Sequence, residues 1–386
     1  MLDLLIKQAK LKGELKDIGI IDNKIFSIKD HIDLPTKNLI EANGRVVIPG
    51  FVDCHTHLDK SMLNLKSDYF EGTGPEKGEF TLARKKDFTI DDITERAEFV
   101  IKRAIKTGTL AIRTNVDVDS SVGLKGIEAL IKLREKYKDT LIIQIAAFAQ
   151  EGIFQDGQTD KLLVQAIEMG VDLIGGHTIA KAEGKKHIDY ILEIAKKYNI
   201  EADFHLDESG NREHYLLPYL VDRMNELDLV GRVNGIHCCT LSALDEHELS
   251  NVLDLAHKSQ LKVTIAPTAI ATRSLAPVKK LLDKGILVGL GSDNIRDFFN
   301  PLGSGDIKQV ALLLSYVQRF YKEEETNQIW SMITDDGAKL LGLKDYDIKE
   351  NGIAHLTLLD AYSNKEVIAY ASQPILIVRS GKVISL

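Results

Sequence analysis

Eight short apolar, β-branched runs alternate along the chain with longer amphipathic runs, and no other feature restricts the fold as strongly. The runs are Arg45–His57, Leu110–Val118, Leu141–Gln150, Val171–His177, Ile200–Glu208, Val233–Cys238, Lys262–Pro267 and Ile286–Asn294. Between them, segments such as Thr94–Lys106 and Ile188–Lys197 carry apolar residues at helical spacing. Strands that are apolar on both faces and separated by helices imply a parallel sheet covered on both sides. Eight such units predict a closed (β/α)8 TIM barrel. An open doubly wound sheet is the structural rival. It is disfavoured because no Gly-x-Gly-x-x-Gly turn follows the first strand.

The two ends differ from the middle. Short alternating runs such as Asp17–Ile21, Lys24–Ile28, Ala354–Leu359 and Ile375–Val383 read as strands. Residues 1–49 and 346–386 are therefore expected to meet in one small β-sheet domain, with the barrel, residues 50–345, inserted between its halves. The region Lys60–Lys86, rich in glycine and charge, reads as a long loop on the functional face and a candidate lid.

Composition narrows the function classes. A net charge of −8 without a basic tract argues against nucleic acid or an anionic membrane as partner. The start, Met1–Lys7, is interrupted by Asp3 and is too short for a signal peptide. No apolar run approaches the roughly 18 residues of a membrane helix. Three cysteines, two of them adjacent, make a poor disulfide framework. The expectation is a cytoplasmic enzyme acting on a small molecule, with homo-oligomerisation left open.

In such a barrel the chemistry sits at the C-terminal ends of the strands. Strand one ends in His55-Thr56-His57, where the two-residue period turns both imidazoles to one side. Strand five ends in His205-Leu206-Asp207-Glu208, strand six in Ile236-His237, and strand eight in Ser292-Asp293-Asn294. A single strand-end histidine is usually a hydrogen-bonded core residue, and Asp293 alone could cap the next helix. Metal-capable groups at four strand ends of one barrel are harder to explain in that way. Histidines and an aspartate that converge would suit Zn²⁺ or Fe²⁺ with an open water position. His177, at the end of strand four, is a candidate pocket-lining residue. Cys238 and Cys239 read as packed, reduced thiols on opposite faces of strand six, and Lys185-Lys186 as a solvated helix start.

The first strand, Val47-Ile48-Pro49-Gly50-Phe51-Val52-Asp53-Cys54-His55-Thr56-His57-Leu58-Asp59-Lys60, resembles the first-strand signature of the amidohydrolase superfamily. Ala147–Gly152, Asp203–Glu208 and Gly289–Asn294 resemble its cytosine deaminase branch, and Gly352–Asp360 its closing sheet segment. The resemblance implies that His55, His57, His205 and Asp293 bind one divalent transition metal, Zn²⁺ or Fe²⁺. Strand four ends without the lysine of two-metal members. The resemblance also implies that His237 hydrogen-bonds the oxygen added to the ring, that Glu208 shuttles protons, that Asp293 accepts the water proton, and that Gln150 meets the ring's amide edge. Gln150, His177 and Asn294 are thus the substrate-binding candidates.

Three departures bear on the substrate. The strand-four loop His177-Thr178-Ile179-Ala180-Lys181 does not match the segment of the cytosine enzyme, and two single residues differ. Asn294 stands where the branch has a second carboxylate, and Asn115 where it often has histidine. The run Asn294-Ile295-Arg296-Asp297 is more similar to relatives that act on aminated triazines. The implied activity is hydrolysis of a non-peptide C–N bond, deaminating a cytosine-like oxo-heterocycle with release of ammonia. The alternatives are an N-alkylaminotriazine aminohydrolase and a ring-opening cyclic amide hydrolase. A metal-free binding protein on the same fold is disfavoured, because the implied ligand set is intact.

Overall fold

The computed structural model describes residues 1–63, 76–178 and 183–385. The chain begins with β1 (Leu4–Leu11), β2 (Glu14–Ile21), β3 (Lys24–Lys29) and β4 (Leu39–Glu41), which form a sheet in the order β3-β2-β1-β4. Next comes β5 (Val47–Ile48), and Gly50 then separates it from β6 (Phe51–Thr56). The expected first strand is therefore two strands. Gly50 sits at φ +153°, and a Cβ there would lie 2.6 Å from Leu110 Cβ and 2.9 Å from Arg379 Nη2, so only glycine lets the chain pass.

The barrel continues through β7 (Thr109–Asp117), β8 (Ile142–Ala149), β9 (Leu173–His177), β10 (Glu201–Leu206), β11 (Val233–His237), β12 (Lys262–Ile265) and β13 (Val288–Leu290). From β6 to β13 the strands are hydrogen-bonded to their sequence neighbours and parallel throughout. Every residue of β6 and β7 is buried, as expected of strands covered on both faces. Closure comes from the two ends. Asp293 N donates to His55 O at 2.9 Å, Thr56 Oγ1 to Asp293 O at 2.9 Å, and Ser292 Oγ to Asp53 Oδ2 at 2.6 Å.

Helices fill the connections. Residues 64–75, part of the expected lid, lie outside the described residues. The following stretch is not loop but a helix, α1 (Glu76–Lys85). Then α2 (Ile90–Lys106) starts at Thr89, whose side chain accepts from Asp92 N. It buries Ile93, Ala97, Val100, Ile101 and Ala104 along one face.

After the barrel, β14 (Leu356–Leu359), β15 (Pro374–Arg379) and β16 (Lys382–Ile384) form a second sheet with β5, in the order β16-β15-β14-β5. The termini thus meet in a small β-sheet domain, as expected, which consists of two four-stranded sheets. The sheets share a core that includes Ile6, Ile18, Ile20, Val47, Leu356, Leu358 and Val378. Arg379, 1% exposed, joins this part to the barrel by donating to the carbonyls of Pro49 and Gly108 and to Thr357 Oγ1. Among the described residues no helix is long and apolar enough to cross a membrane.

Candidate active site

Closure of the barrel places the end of its last strand beside the end of its first. Asp293 takes a left-handed backbone, φ +59°, which directs its carboxylate inward. Such a conformation costs on the order of 1–3 kcal/mol for a non-glycine residue and persists where the surroundings hold it. Gly291 permits the approach, since a Cβ there would lie 2.6 Å from His55 Cβ. As a result Asp293 Oδ1 is 3.3 Å from His55 Nε2 and 3.5 Å from His57 Nε2. His205, from β10, completes the group, with ring centroids 4.8 Å from His55 and 5.3 Å from His57. The ligand-capable atoms of His55, His57, His205 and Asp293 all lie within 4.8 Å of one another, and all four residues are buried.

Asn115 on β7 orients two of these rings. Its Oδ1 is 3.2 Å from His55 Nδ1 and its carbonyl oxygen 3.1 Å from His57 Nδ1. Both Nδ1 atoms then carry the proton, and both Nε2 atoms are left as free donors of a lone pair. His55 Nε2 is buried and makes no hydrogen bond among the described residues. Burial holds the His57 and His205 imidazoles well below their ordinary range, so they are neutral as ligands must be. Burial alone would raise Asp293, but His55 and His237 keep its carboxyl below the usual value. Burial would lower His55 too, but Asp293 raises it above its ordinary value, so this imidazole gives up a proton when it serves as a ligand. Three imidazoles with one carboxylate fit a transition-metal cation better than Ca²⁺ or Mg²⁺, which prefer oxygen.

The remaining predicted residues line the adjoining space. Glu208 Oε2 is 3.1 Å from His177 Nε2, and Oε1 is 3.9 Å from His237 Nε2. Oε1 also accepts from Arg273 Nη2. Burial opposes ionisation of Glu208, but His237, Arg273 and His177 together hold its carboxyl well below the ordinary range. His237 is pushed down to about 4 by burial, and neither of its ring nitrogens has a hydrogen-bond partner among the described residues. Gln150 Oε1 accepts from Lys60 Nζ at 3.3 Å, while its Nε2 lies 3.4 Å from His177 Nδ1. Asn294 Nδ2 is committed to Asp297 Oδ2 at 2.5 Å. The loop residues 179–182 beyond His177 lie outside the described residues.

Several side chains at this mouth are ones the sequence reading did not assign. Asn115 and Asp117 belong to the inward row of β7, and the two-residue period from Arg113 could have found them. Phe148 packs against His205 at 4.4 Å between ring centroids. Lys60 is buried on Asp117 at 2.8 Å. Arg273 arrives from the loop after β12, where no sequence pattern marks it. Cys238 and Cys239 are buried free thiols, as expected, but not for the reason given. The strand ends at His237, and Cys238 turns left-handed at φ +48°, so strand alternation does not apply to the pair.

A family model described as an amidohydrolase family matches residues 90–384. N-isopropylammelide isopropyl amidohydrolase of Pseudomonas sp. (strain ADP) is 34% identical over 99% of this chain and 97% of its own length. The crystal structure of N-isopropylammelide isopropylaminohydrolase from Burkholderia multivorans superposes with a TM-score of 0.91. It is 27% identical and covers 100% of this chain and 98% of that one. The 5-methylcytosine deaminase of Klebsiella pneumoniae, liganded with phosphonocytosine, also gives a TM-score of 0.91, at 26% identity over 99% of this chain and 97% of that one. The matched span and the 34% relative place this chain in the amidohydrolase family.

Proposed function

We propose that the protein hydrolyses the exocyclic C–N bond of an amino-substituted oxo-heterocycle, releasing ammonia or a small alkylamine and leaving oxygen on the ring. The observation that carries this reading is one mouth that holds both a buried nitrogen-and-oxygen ligand cluster and a carboxylate flanked by imidazoles, Glu208 with His177 and His237. His55, His57, His205 and Asp293 would hold one divalent transition metal, Zn²⁺ or Fe²⁺. When bound, such an ion lowers the pKa of a water toward about 7 and so makes it a nucleophile.

The chain's own groups handle the protons. Asp293 accepts the proton of the attacking water. Glu208, a carboxylate in the free protein, takes up a proton as the substrate enters and delivers it to the ring nitrogen beside the amine-bearing carbon, which makes that carbon electrophilic. His237 donates an N–H to the oxygen arriving on the ring. Asp293 then passes the proton it took from water to the exocyclic nitrogen, the exocyclic C–N bond breaks as the amine leaves, and the added hydroxyl returns its proton to Glu208, which leaves a ring C=O beside an N–H. Because Lys60 holds the oxygen of Gln150, the amide offers its N–H groups to a ring acceptor. The sequence alone left both faces of that amide open.

A second leaving group, an alkylamine in place of ammonia, is favoured by the Pseudomonas and Burkholderia relatives, whose names specify isopropylammelide. It is also favoured by Asn294, which is tied to Asp297 and provides no second carboxylate beside Asp293. The test is a panel of cytosine, isoguanine, aminopterins, aminotriazines and N-alkylaminotriazines with the metal-loaded enzyme, following free amine and product mass. The expected product has the amine exchanged for oxygen with the ring intact. A ring-opened product that keeps all its nitrogen would contradict the proposal.

A further inference from the structure

We infer that Arg273 recognises a ring oxygen of the substrate, and that an O=C–N edge enters between Arg273 and Glu208. The inference rests on the amine-releasing reading above and specifies which heterocycles can use the site.

In the free protein Glu208 is hydrogen-bonded on one side and only approached on the other, since His177 Nε2 makes no hydrogen bond among the described residues. Arg273 Nη2 donates to Oε1, and Oε2 faces His177 Nε2 at 3.1 Å. For a ring oxygen to reach Arg273, the Arg273–Glu208 hydrogen bond must open. His177 is also held from its other ring nitrogen, 3.4 Å from Gln150 Nε2. Arg273 has other partners to keep it in place when that bond opens. Its Nη1 donates to Thr272 Oγ1 at 3.3 Å, and it lies in hydrogen-bonding contact with the Cys239 thiol. Its Nε is buried and makes no hydrogen bond among the described residues. A guanidinium has five N–H donors in a rigid fork, so Arg273 has capacity to spare.

The arginine–carboxylate pair presents a donor beside an acceptor. An O=C–N= edge answers this pair once Glu208 has taken up a proton, its oxygen accepting from Arg273 and its nitrogen accepting the proton that Glu208 carries. Such an edge can take the place of the direct Arg273–Glu208 contact and leave both side chains hydrogen-bonded. A ring that lacks the oxygen would draw Glu208 away and strand a guanidinium only 22% exposed. Sites built on such pairing reject ligands that lack the matching group. Lys60, the other cation at the mouth, is already engaged by Asp117 at 2.8 Å and Gln150 at 3.3 Å and is 1% exposed, so it is not available to make this exchange.

The experiment is calorimetric titration of the metal-loaded enzyme with two unreactive rings. Barbiturate carries ring oxygens and no amine to lose, and pyrimidine carries no oxygen. The native enzyme should bind barbiturate more tightly. Arg273→Met should weaken barbiturate roughly 10- to 100-fold and leave pyrimidine nearly unchanged, and Arg273→Lys should recover part of the loss. Equal barbiturate affinity in the native enzyme and Arg273→Met would overturn the inference. If Arg273→Met does not fold, the native enzyme and Arg273→Lys decide. Equal native affinity for the two rings, or no loss of barbiturate binding in Arg273→Lys, would then overturn it. Loss of amine release from the whole heterocycle panel would instead count against the reading it rests on.

Discussion

Asn115 shows how much of the candidate centre depends on a residue with no ligand role. Its side chain holds the His55 ring and its backbone carbonyl the His57 ring, so a substitution removes the first contact and keeps the second. Asn115→Ala removes the His55 contact and should lower metal affinity about 10- to 100-fold, as read by competition with a chelating dye. Glu208→Gln should keep the fold and the metal and lose roughly 10²- to 10⁴-fold in kcat. Near-native turnover with metal retained would remove Glu208 from the mechanism. Asp297 offers a test by pH. Burial pushes its carboxyl up to about 6, against hydrogen bonds from Asn300, Asn294 and Phe299. The folded state therefore binds an extra proton between about pH 4 and pH 6, and this group's contribution to stability falls as pH rises through that window. Asp297→Asn removes the dependence. The stability of the variant relative to the native protein should rise by about 2–3 kcal/mol from pH 4 to pH 7, as measured by urea unfolding. A difference that stays flat across that range would contradict the assignment. At this scale His55, His57, His205, Glu208, His237 and Asp293 were legible because each stands at a strand end. Arg273 was not, because it sits in an irregular loop that only the fold brings to Glu208.

At the scale of elements, hydrophobic periodicity located all eight barrel strands but overran their ends. The last run was expected to continue to Asn294, yet β13 stops at Leu290. Beyond it the chain crosses close over His55 at Gly291 and turns left-handed at Asp293, a change that apolar patterning does not register. The helix α1 was hidden for a different reason. Its low apolar content reads as loop, and what anchors it is charge. Lys85, fully enclosed, reaches Asp117 at 2.6 Å, Asp119 at 3.0 Å and Glu151 at 3.2 Å, which ties α1 to the loops that follow β7 and β8. Removing one member of a buried ionic cluster leaves the others uncompensated. Lys85→Met should therefore cost about 3–5 kcal/mol in denaturant unfolding. A loss below about 1 kcal/mol, the scale of an exposed pair, would show that the cluster is solvated.

For the whole molecule, the alternating pattern specified the barrel and the small β-sheet domain of the termini, but not that this domain consists of two sheets. Short runs such as Lys24–Ile28 mark strands without saying which edges pair, and the pairing depends on contacts hundreds of residues apart, such as Val47 with Leu358. The same long-range closure brings Asp293 to His55 and His57, so the ligand cluster exists only in the finished barrel. A metal that binds only that folded form should stabilise it by mass action. The central claim, a single-metal hydrolase of heterocyclic C–N bonds, is tested most directly by returning Zn²⁺ to the metal-free protein in small steps while following amine release from the best substrate of the panel. The account predicts no release without metal and a linear rise that breaks at about one equivalent per chain. A break at two equivalents, or full activity in the metal-free protein, would contradict it.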